Sequence, residues 1–256
     1  MFFRNESFRD FLQFYPIVSV IVAINVILWL LMFIPNPLSP IIYTWGVGWN
    51  VAIDLGEYWR LVTPIFLHSP NDVSHILFNS FSLILFGPAL EQMIGKFKFI
   101  LVYLITGIVG NVFTYFVGTS ALHLGASGAL YGLLGLLLYM SFFRLDLIDP
   151  ASKQIVTVIT LIGVLMTFIQ PGINISAHIF GLIAGFALGP IFLTHAVPYS
   201  PWRNQRRRVV RSDGLNYDPN RWDKRRFRFR MNRNVSSIIW WIILILAVLG
   251  ILAGVI

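Results

Sequence analysis

Residues 124–143 read LGASGALYGLLGLLLYMSFF, a stretch of apolar and small residues without a charged side chain. An α-helix rises about 1.5 Å per residue, so about 20 such residues cross the hydrocarbon core of a bilayer. Six further stretches are comparably apolar, at residues 16–34, 74–94, 99–118, 154–169, 175–194 and 237–256. The sequence therefore predicts an all-α, polytopic membrane helix bundle with seven transmembrane helices.

The composition of the whole chain agrees with a membrane protein. Of 256 residues, 57% are hydrophobic and only 12% are charged, with a mean hydropathy of +0.74. A soluble domain carries about 25% charged residues, so a single water-soluble globule is excluded. Continuous apolar runs also differ from the alternating pattern of outer-membrane barrels. The chain has no cysteine, which excludes disulfides, thiolate metal sites and a cysteine nucleophile.

The distribution of lysine and arginine predicts the orientation in the membrane. Seven spans would place eighteen basic residues on one side of the bilayer and Arg60 alone on the other. Because cytoplasmic loops are enriched in basic residues, we expect a cytoplasmic N-terminus and an extracytoplasmic C-terminus. Compact loops and the lack of a transit-like leader favour a prokaryotic plasma membrane.

Residues 196–236 concentrate the positive charge, with twelve basic and three acidic side chains. We interpret them as an Arg-rich cytoplasmic linker between a six-span core, residues 1–195, and a seventh helix, residues 237–256. Basic residues near a membrane surface attract anionic lipids, so residues 203–233 are predicted to contact lipid. Arginine and phenylalanine alternate at 226–230, which leaves RNA binding open as an alternative. Because cytoplasmic loops carry positive charge anyway, no nucleic-acid partner is predicted.

Polar side chains inside spans are candidates for function, because burying them in lipid is costly. His75 and Asn79 lie one turn apart in the second span, and Ser127 and His178 lie near the starts of the fourth and sixth spans. These three spans run in the same direction, so the four side chains are predicted to share one depth near the outer surface. Polar groups confined to one depth disfavour a transport path, although a transporter or channel stays open as an alternative.

Glycine stripes indicate which helices touch. The sixth span carries small residues at helical spacing below His178, namely Gly181, Gly185 and Gly189. The fourth span has a corresponding set beside Ser127, namely Gly128, Gly132 and Gly135. Small residues let membrane helices approach closely. If the two stripes face each other, Ser127 and His178 meet at the outer end of the two helices. Helix packing alone would explain the glycines, but it would not explain why a polar residue begins each stripe.

The spans give no indication of a metal or cofactor. No span carries paired histidines for haem, and no carboxylates lie at the depth of His178. We therefore predict no cofactor and no metal site.

Four short motifs together resemble the rhomboid family of intramembrane serine proteases. They are Gly125-Ala126-Ser127-Gly128 (the family's GxSG), Ala177-His178 followed by Gly181 and Gly185, His75-Ile-Leu-Phe-Asn79 (HxxxN), and Glu57-Tyr58-Trp59-Arg60. Each motif is short, but all four lie in the corresponding spans and loop. The seventh span is similar to the extra helix of the family's six-plus-one form.

The resemblance implies a role for each matching residue. Ser127 would be the nucleophile and His178 the general base, with Tyr131 packed against the histidine. His75, Asn79 and the backbone N–H of Ser127 would stabilise the oxyanion. A serine hydroxyl needs an adjacent base, and an imidazole suits that task near neutral pH. No acidic residue occurs in the outer parts of spans four and six, so a triad with a carboxylate is not expected.

The resemblance also implies a substrate class, namely membrane-spanning proteins cut near their outer boundary, at helix-breaking residues and after a small side chain. Trp59 and Arg60 are expected to brace the long first loop, residues 35–72, and Glu91 to be a structural hydrogen-bonding group. A rhomboid-like protein that binds membrane clients without cutting them stays open as an alternative.

Overall fold

The computed structural model describes residues 1–2, 4, 6–118 and 121–201. Within this part, Met1–Tyr199 form one compact unit. The predicted lipid-binding residues 203–233 and the predicted seventh helix at 237–256 lie outside the described residues.

The described chain is helical, and its only β-pairing is an isolated bridge between Gly48 and His123. Two short 3-10 helices, Tyr58–Leu61 and Thr63–Phe66, lie in the first loop. The α-helices are α1 (Phe8–Phe14), α2 (Pro16–Phe33), α3 (Leu38–Gly46), α4 (Asn50–Asp54), α5 (Val73–Ile94), α6 (Lys96–Val117), α7 (Ser127–Phe143), α8 (Pro150–Ile169), α9 (Ile175–Ala187) and α10 (Gly189–Phe192). The prediction of an all-α membrane bundle is confirmed.

Six of these helices correspond to the first six predicted spans. Four of them, α2, α5, α6 and α8, are long and apolar enough to cross a membrane, whereas α7 and α9 are apolar but shorter, with 17 and 13 residues. The predicted bounds of four spans were wrong by three residues or more. Two helices begin earlier than predicted, α6 at Lys96 rather than at 99 and α8 at Pro150 rather than at 154. The helix of the fourth span, α7, begins at Ser127, three residues after the predicted start at 124. The helix of the sixth span, α9, ends at Ala187 rather than at 194. Pro190, at the start of α10, cannot donate the hydrogen bond that a continuous helix would need.

Polar side chains cap the helices that carry or adjoin the candidate site. The side chain of Asp72 accepts a hydrogen bond from the backbone N–H of His75 at the start of α5, and Asn174 accepts one from Ala177 at the start of α9. Asp149 does the same for α8 through Ser152. Such caps satisfy N–H groups that have no partner inside the helix, and they fix where each helix begins.

The two glycine stripes face each other, which is the condition under which Ser127 and His178 were expected to meet. A Cβ on Gly181 would collide with the carbonyl oxygen of Gly128, and one on Gly185 would collide with the carbonyl oxygen of Gly132. The backbones of α7 and α9 are therefore in direct contact, which only residues without a side chain permit.

Glu91 connects α5 to α2. Its carboxylate is buried and accepts hydrogen bonds from the backbone N–H groups of Ile17 (3.1 Å) and Val18 (2.9 Å), at the start of α2. A carboxylate is stabilised there because free N–H groups give a helix N-terminus a partial positive charge. Glu91 is thus a structural hydrogen-bonding group, as its position in the sequence predicted.

Candidate active site

Ser127 is the first residue of α7 and is half-buried. The chain reaches it through Gly125, whose φ of +140° lies in a region that residues with a side chain rarely adopt. The N–H of Gly125 donates to the carbonyl oxygen of Pro64 at 2.9 Å, which ties this turn to the first loop. This turn explains why the helix begins at the serine rather than three residues earlier.

His75 of α5 lies beside the serine. The position that a Cβ on Gly125 would occupy is 2.7 Å from His75 Nε2 and 3.6 Å from Ser127 Oγ. The structure therefore brings the ring of His75 and the hydroxyl of Ser127 to the same small region above Gly125. Asn79, one turn further along α5, is buried, and its Nδ2 donates to the backbone carbonyl of His75 at 2.8 Å.

His178 is buried in α9 and is held on two sides. The ring of Tyr131, one turn after Ser127, stacks on the imidazole with centroids 4.1 Å apart and an interplanar angle of 17°. The imidazole Nδ1 lies 2.8 Å from Oγ1 of Thr167 in α8. Stacking and hydrogen bonding together leave the ring little freedom to rotate.

The helices of Ser127 and His178 meet next to both residues. A Cβ on Gly128, the residue after the serine, would lie 3.3 Å from the carbonyl oxygen of Ala177, the residue before the histidine. Within the described residues the hydroxyl of Ser127 makes no hydrogen bond, either to His178 or to another group.

Trp59 and Arg60 make their hydrogen bonds within the first loop. Arg60 is only 4% exposed, forms a 2.6 Å ion pair with Glu57, and donates to the carbonyl oxygen of Val47 at 2.7 Å. The indole N–H of Trp59 donates to the carbonyl oxygen of Trp45 at 3.1 Å, and the two rings stack 6.0 Å apart. These contacts brace the loop and leave neither residue bonded to Ser127 or His178.

His68, in the loop before α5, also adjoins the site, although no sequence motif indicated it. Its ring centroid lies 5.0 Å from that of His75, and its side chain is fully buried. Burial, together with the nearby His75, lowers the pKa of His68 to about 3, so this histidine is neutral at physiological pH. Among the described residues, no group of three or more acidic, histidine or cysteine side chains could hold a metal ion.

Thr167 is a further residue that the sequence did not indicate. A threonine in an apolar helix usually bonds to the carbonyl one turn earlier, and Thr167 does so to Gly163 at 2.9 Å. No sequence pattern separates such a threonine from one that also reaches a histidine on the next helix.

A family model of the Rhomboid domain matches residues 55–195, more than half of the chain and all of the site residues. The chain belongs to the rhomboid family. It is 43% identical over 189 residues to the rhomboid protein YdcA of Bacillus subtilis (strain 168), which covers 73% of this chain and 94% of that protein. It is 39% identical over 141 residues to the rhomboid protease GluP of the same organism, covering 55% of this chain but 27% of GluP. RHOMBOID-like protein 4 of Arabidopsis thaliana is 31% identical over 212 residues, which cover 82% of this chain and 49% of that protein.

Proposed function

We propose that this chain is an intramembrane serine protease in which Ser127 is the nucleophile and His178 the general base. The main support for this proposal is the set of contacts that His178 makes. The imidazole is stacked on Tyr131, bonded through Nδ1, and set in a helix that touches the helix beginning at Ser127. Membership of the rhomboid family, which includes the rhomboid protease GluP, supports the same activity.

The reaction would follow acyl-transfer chemistry. His178 Nε2 takes the proton of the Ser127 hydroxyl as Oγ attacks the scissile carbonyl carbon, and the protonated ring then gives that proton to the leaving amine. Water next attacks the acyl-enzyme, with His178 again as base, and releases the second product and free Ser127. This cycle returns the site to its starting protonation state.

The oxyanion that forms on the carbonyl oxygen needs donors already in place. The ring of His75 lies in the same region as Ser127 Oγ. Asn79 lies one turn along α5 and bonds to the carbonyl of His75 through one amide N–H, which leaves its second N–H for the oxyanion. The backbone N–H of Ser127 is the third donor, because the first N–H groups of a helix have no partner inside it. Each such donor contributes about 2.7–4 kcal/mol to lowering the barrier.

The substrates would be membrane-spanning proteins. The site lies where α7 and α9 begin, and the excess of basic residues on the opposite side supports an extracytoplasmic position for that end. A peptide bond inside a helix is shielded by its hydrogen bonds, so helix-breaking residues near the cut favour cleavage. We further propose a prokaryotic plasma membrane, and anionic lipid as the contact of basic residues 203–233.

A cleavage assay in liposomes tests the activity. The substrate is a single-span reporter with a glycine or proline near its outer boundary and an alanine before the intended cut. Wild type is compared with Ser127→Ala and His178→Ala. Ser141→Ala is the matched control in α7, because within the described residues its hydroxyl bonds only to the carbonyl of Leu137. We expect cleavage by wild type and the control alone. Reporter binding without cleavage by folded wild type would instead favour a client-binding protein.

A further inference from the structure

A small cluster of hydrogen bonds lies behind His178, on the side away from Ser127. Thr167 Oγ1 lies 2.8 Å from Nδ1 of the imidazole and 2.9 Å from the hydroxyl oxygen of Tyr131. Both hydroxyls also reach one acceptor, the backbone carbonyl of Gly163, at 2.5 Å from Tyr131 and 2.9 Å from Thr167. Thr167 is 1% exposed, so water does not compete for these bonds.

The protons of this cluster have one self-consistent arrangement that suits a general base. Tyr131 and Thr167 each donate their single hydroxyl proton to the Gly163 carbonyl, which has no proton to give. The lone pairs of Thr167 Oγ1 then face Nδ1, so the imidazole carries its proton on Nδ1 and donates it to the threonine. In the neutral ring the Nε2 lone pair is left free to accept the proton of Ser127.

We propose that Thr167 is a positioning residue that sets the tautomer and orientation of His178, an inference that rests on the proposed function. In serine proteases with a carboxylate triad, a buried aspartate has this task, and losing the correct tautomer greatly reduces turnover. A carboxylate behind His178 would be a buried charge within the bundle, which is costly without a fixed cation. A hydroxyl bonded to a helix carbonyl offers the same acceptor without a charge.

The position of Thr167 in the chain suits this role. It lies near the end of α8, and a short turn separates α8 from the start of α9, which carries His178. Asn174 caps α9 and its Oδ1 also accepts from Thr114 of α6 at 3.0 Å, which fixes the start of α9 against a third helix. Thr167 and His178, which form the 2.8 Å bond, thus both lie in helices whose ends are close together and fixed.

The test compares three threonine variants in the liposome cleavage assay. Thr167→Val keeps the shape and removes the oxygen, and Thr167→Ser keeps the oxygen. Thr160→Val is the matched control, since Thr160 lies two turns earlier in α8, is also buried, and has no hydrogen-bond partner within the described residues. For each variant, kcat, KM and the midpoint of thermal unfolding are measured.

We expect Thr167→Val to lower kcat by about 10- to 100-fold, the range for one lost hydrogen bond to a group that becomes charged, with KM within about 2-fold of wild type. Thr167→Ser should recover most of kcat, and Thr160→Val should match wild type in all three measurements. A wild-type kcat for Thr167→Val would overturn the inference. The inference would also be overturned if Thr167→Val and Thr167→Ser both lost kcat and both had a lower unfolding midpoint, because that pattern indicates a packing role alone.

Ser127→Ala, measured in parallel, separates this inference from the proposed function. If wild type cuts, Ser127→Ala does not and Thr167→Val cuts at full rate, only the role of Thr167 is wrong. If Ser127→Ala cuts as fast as wild type, or folded wild type does not cut, the protease assignment fails and the role of Thr167 fails with it.

Discussion

Replacing Gly181 by alanine tests the contact that brings the two proposed catalytic residues together. The added methyl group would collide with the carbonyl oxygen of Gly128, a backbone atom that cannot rotate away. To restore an ordinary carbon–oxygen contact, α7 and α9 must separate by about 1 Å next to Ser127 and His178. Overpacking of this kind costs about 1–3 kcal/mol of stability. A displacement of about 1 Å at the reacting groups costs about 100-fold in rate.

We therefore expect Gly181→Ala to fold with a lower unfolding midpoint and to cleave the liposome reporter about 100-fold more slowly. Gly128→Ala should be milder, because its Cβ would lie 3.3 Å from the carbonyl oxygen of Ala177, a contact that a small adjustment relieves. Ala187→Val, which adds methyl groups at an exposed position of α9, is the control and should behave as wild type. Wild-type rate and stability for Gly181→Ala would show that α7 and α9 do not pack through these glycines.

Four further substitutions have defined outcomes. Gly125→Ala should abolish cleavage, because a side chain disfavours φ +140° and its Cβ would lie 2.7 Å from His75 Nε2; activity near wild type would contradict the turn geometry. Asn79→Ala should lower kcat by about 100- to 1,000-fold with little change in unfolding midpoint, as for a lost oxyanion donor, and an unchanged kcat would remove Asn79 from that role. Glu91→Leu leaves two N–H groups of α2 without their acceptor and should cost about 1–3 kcal/mol for each; equal thermal stability would refute the capping role. His123→Gln should reduce the loss of stability in acid, because burial lowers the pKa of His123 to about 4. Between about pH 6.5 and 4 only the unfolded chain takes up the proton, which costs about 2 kcal/mol of folding stability near pH 5. An identical pH dependence of stability in wild type and His123→Gln would exclude this role of His123.

Apolar runs were enough to predict the fold, because a span is determined by length and hydrophobicity. Four boundaries were missed, and the start of α7 shows why, because it depends on local backbone geometry. The turn before Ser127 relies on a positive φ at Gly125 and on a hydrogen bond to Pro64, which lies far away in the sequence. Hydropathy is the same on both sides of such a turn, so it could not place the start of α7.

The facing glycine stripes were predictable because helical periodicity puts small residues on one face, and two such faces can pack closely. The hydrogen bond between Thr167 and His178 was not predictable. It depends on how α8 is rotated against α9, and a single threonine in an apolar helix gives no periodic signal of that rotation. The stacking of Tyr131 on His178 agrees with what the family resemblance implied, whereas spacing alone placed Tyr131 only on the same face of α7 as Ser127.

Labelling with a fluorophosphonate probe tests whether Ser127 is an activated nucleophile, and it needs no knowledge of the substrate. Purified full-length wild type, Ser127→Ala and His178→Ala are each treated with the probe in liposomes, after circular dichroism shows that all three are folded. We expect wild type to be labelled on Ser127 and neither variant to be labelled. Equal labelling of Ser127→Ala, or none of folded wild type by a probe shown to enter the site, would contradict the assignment of Ser127 as an activated nucleophile.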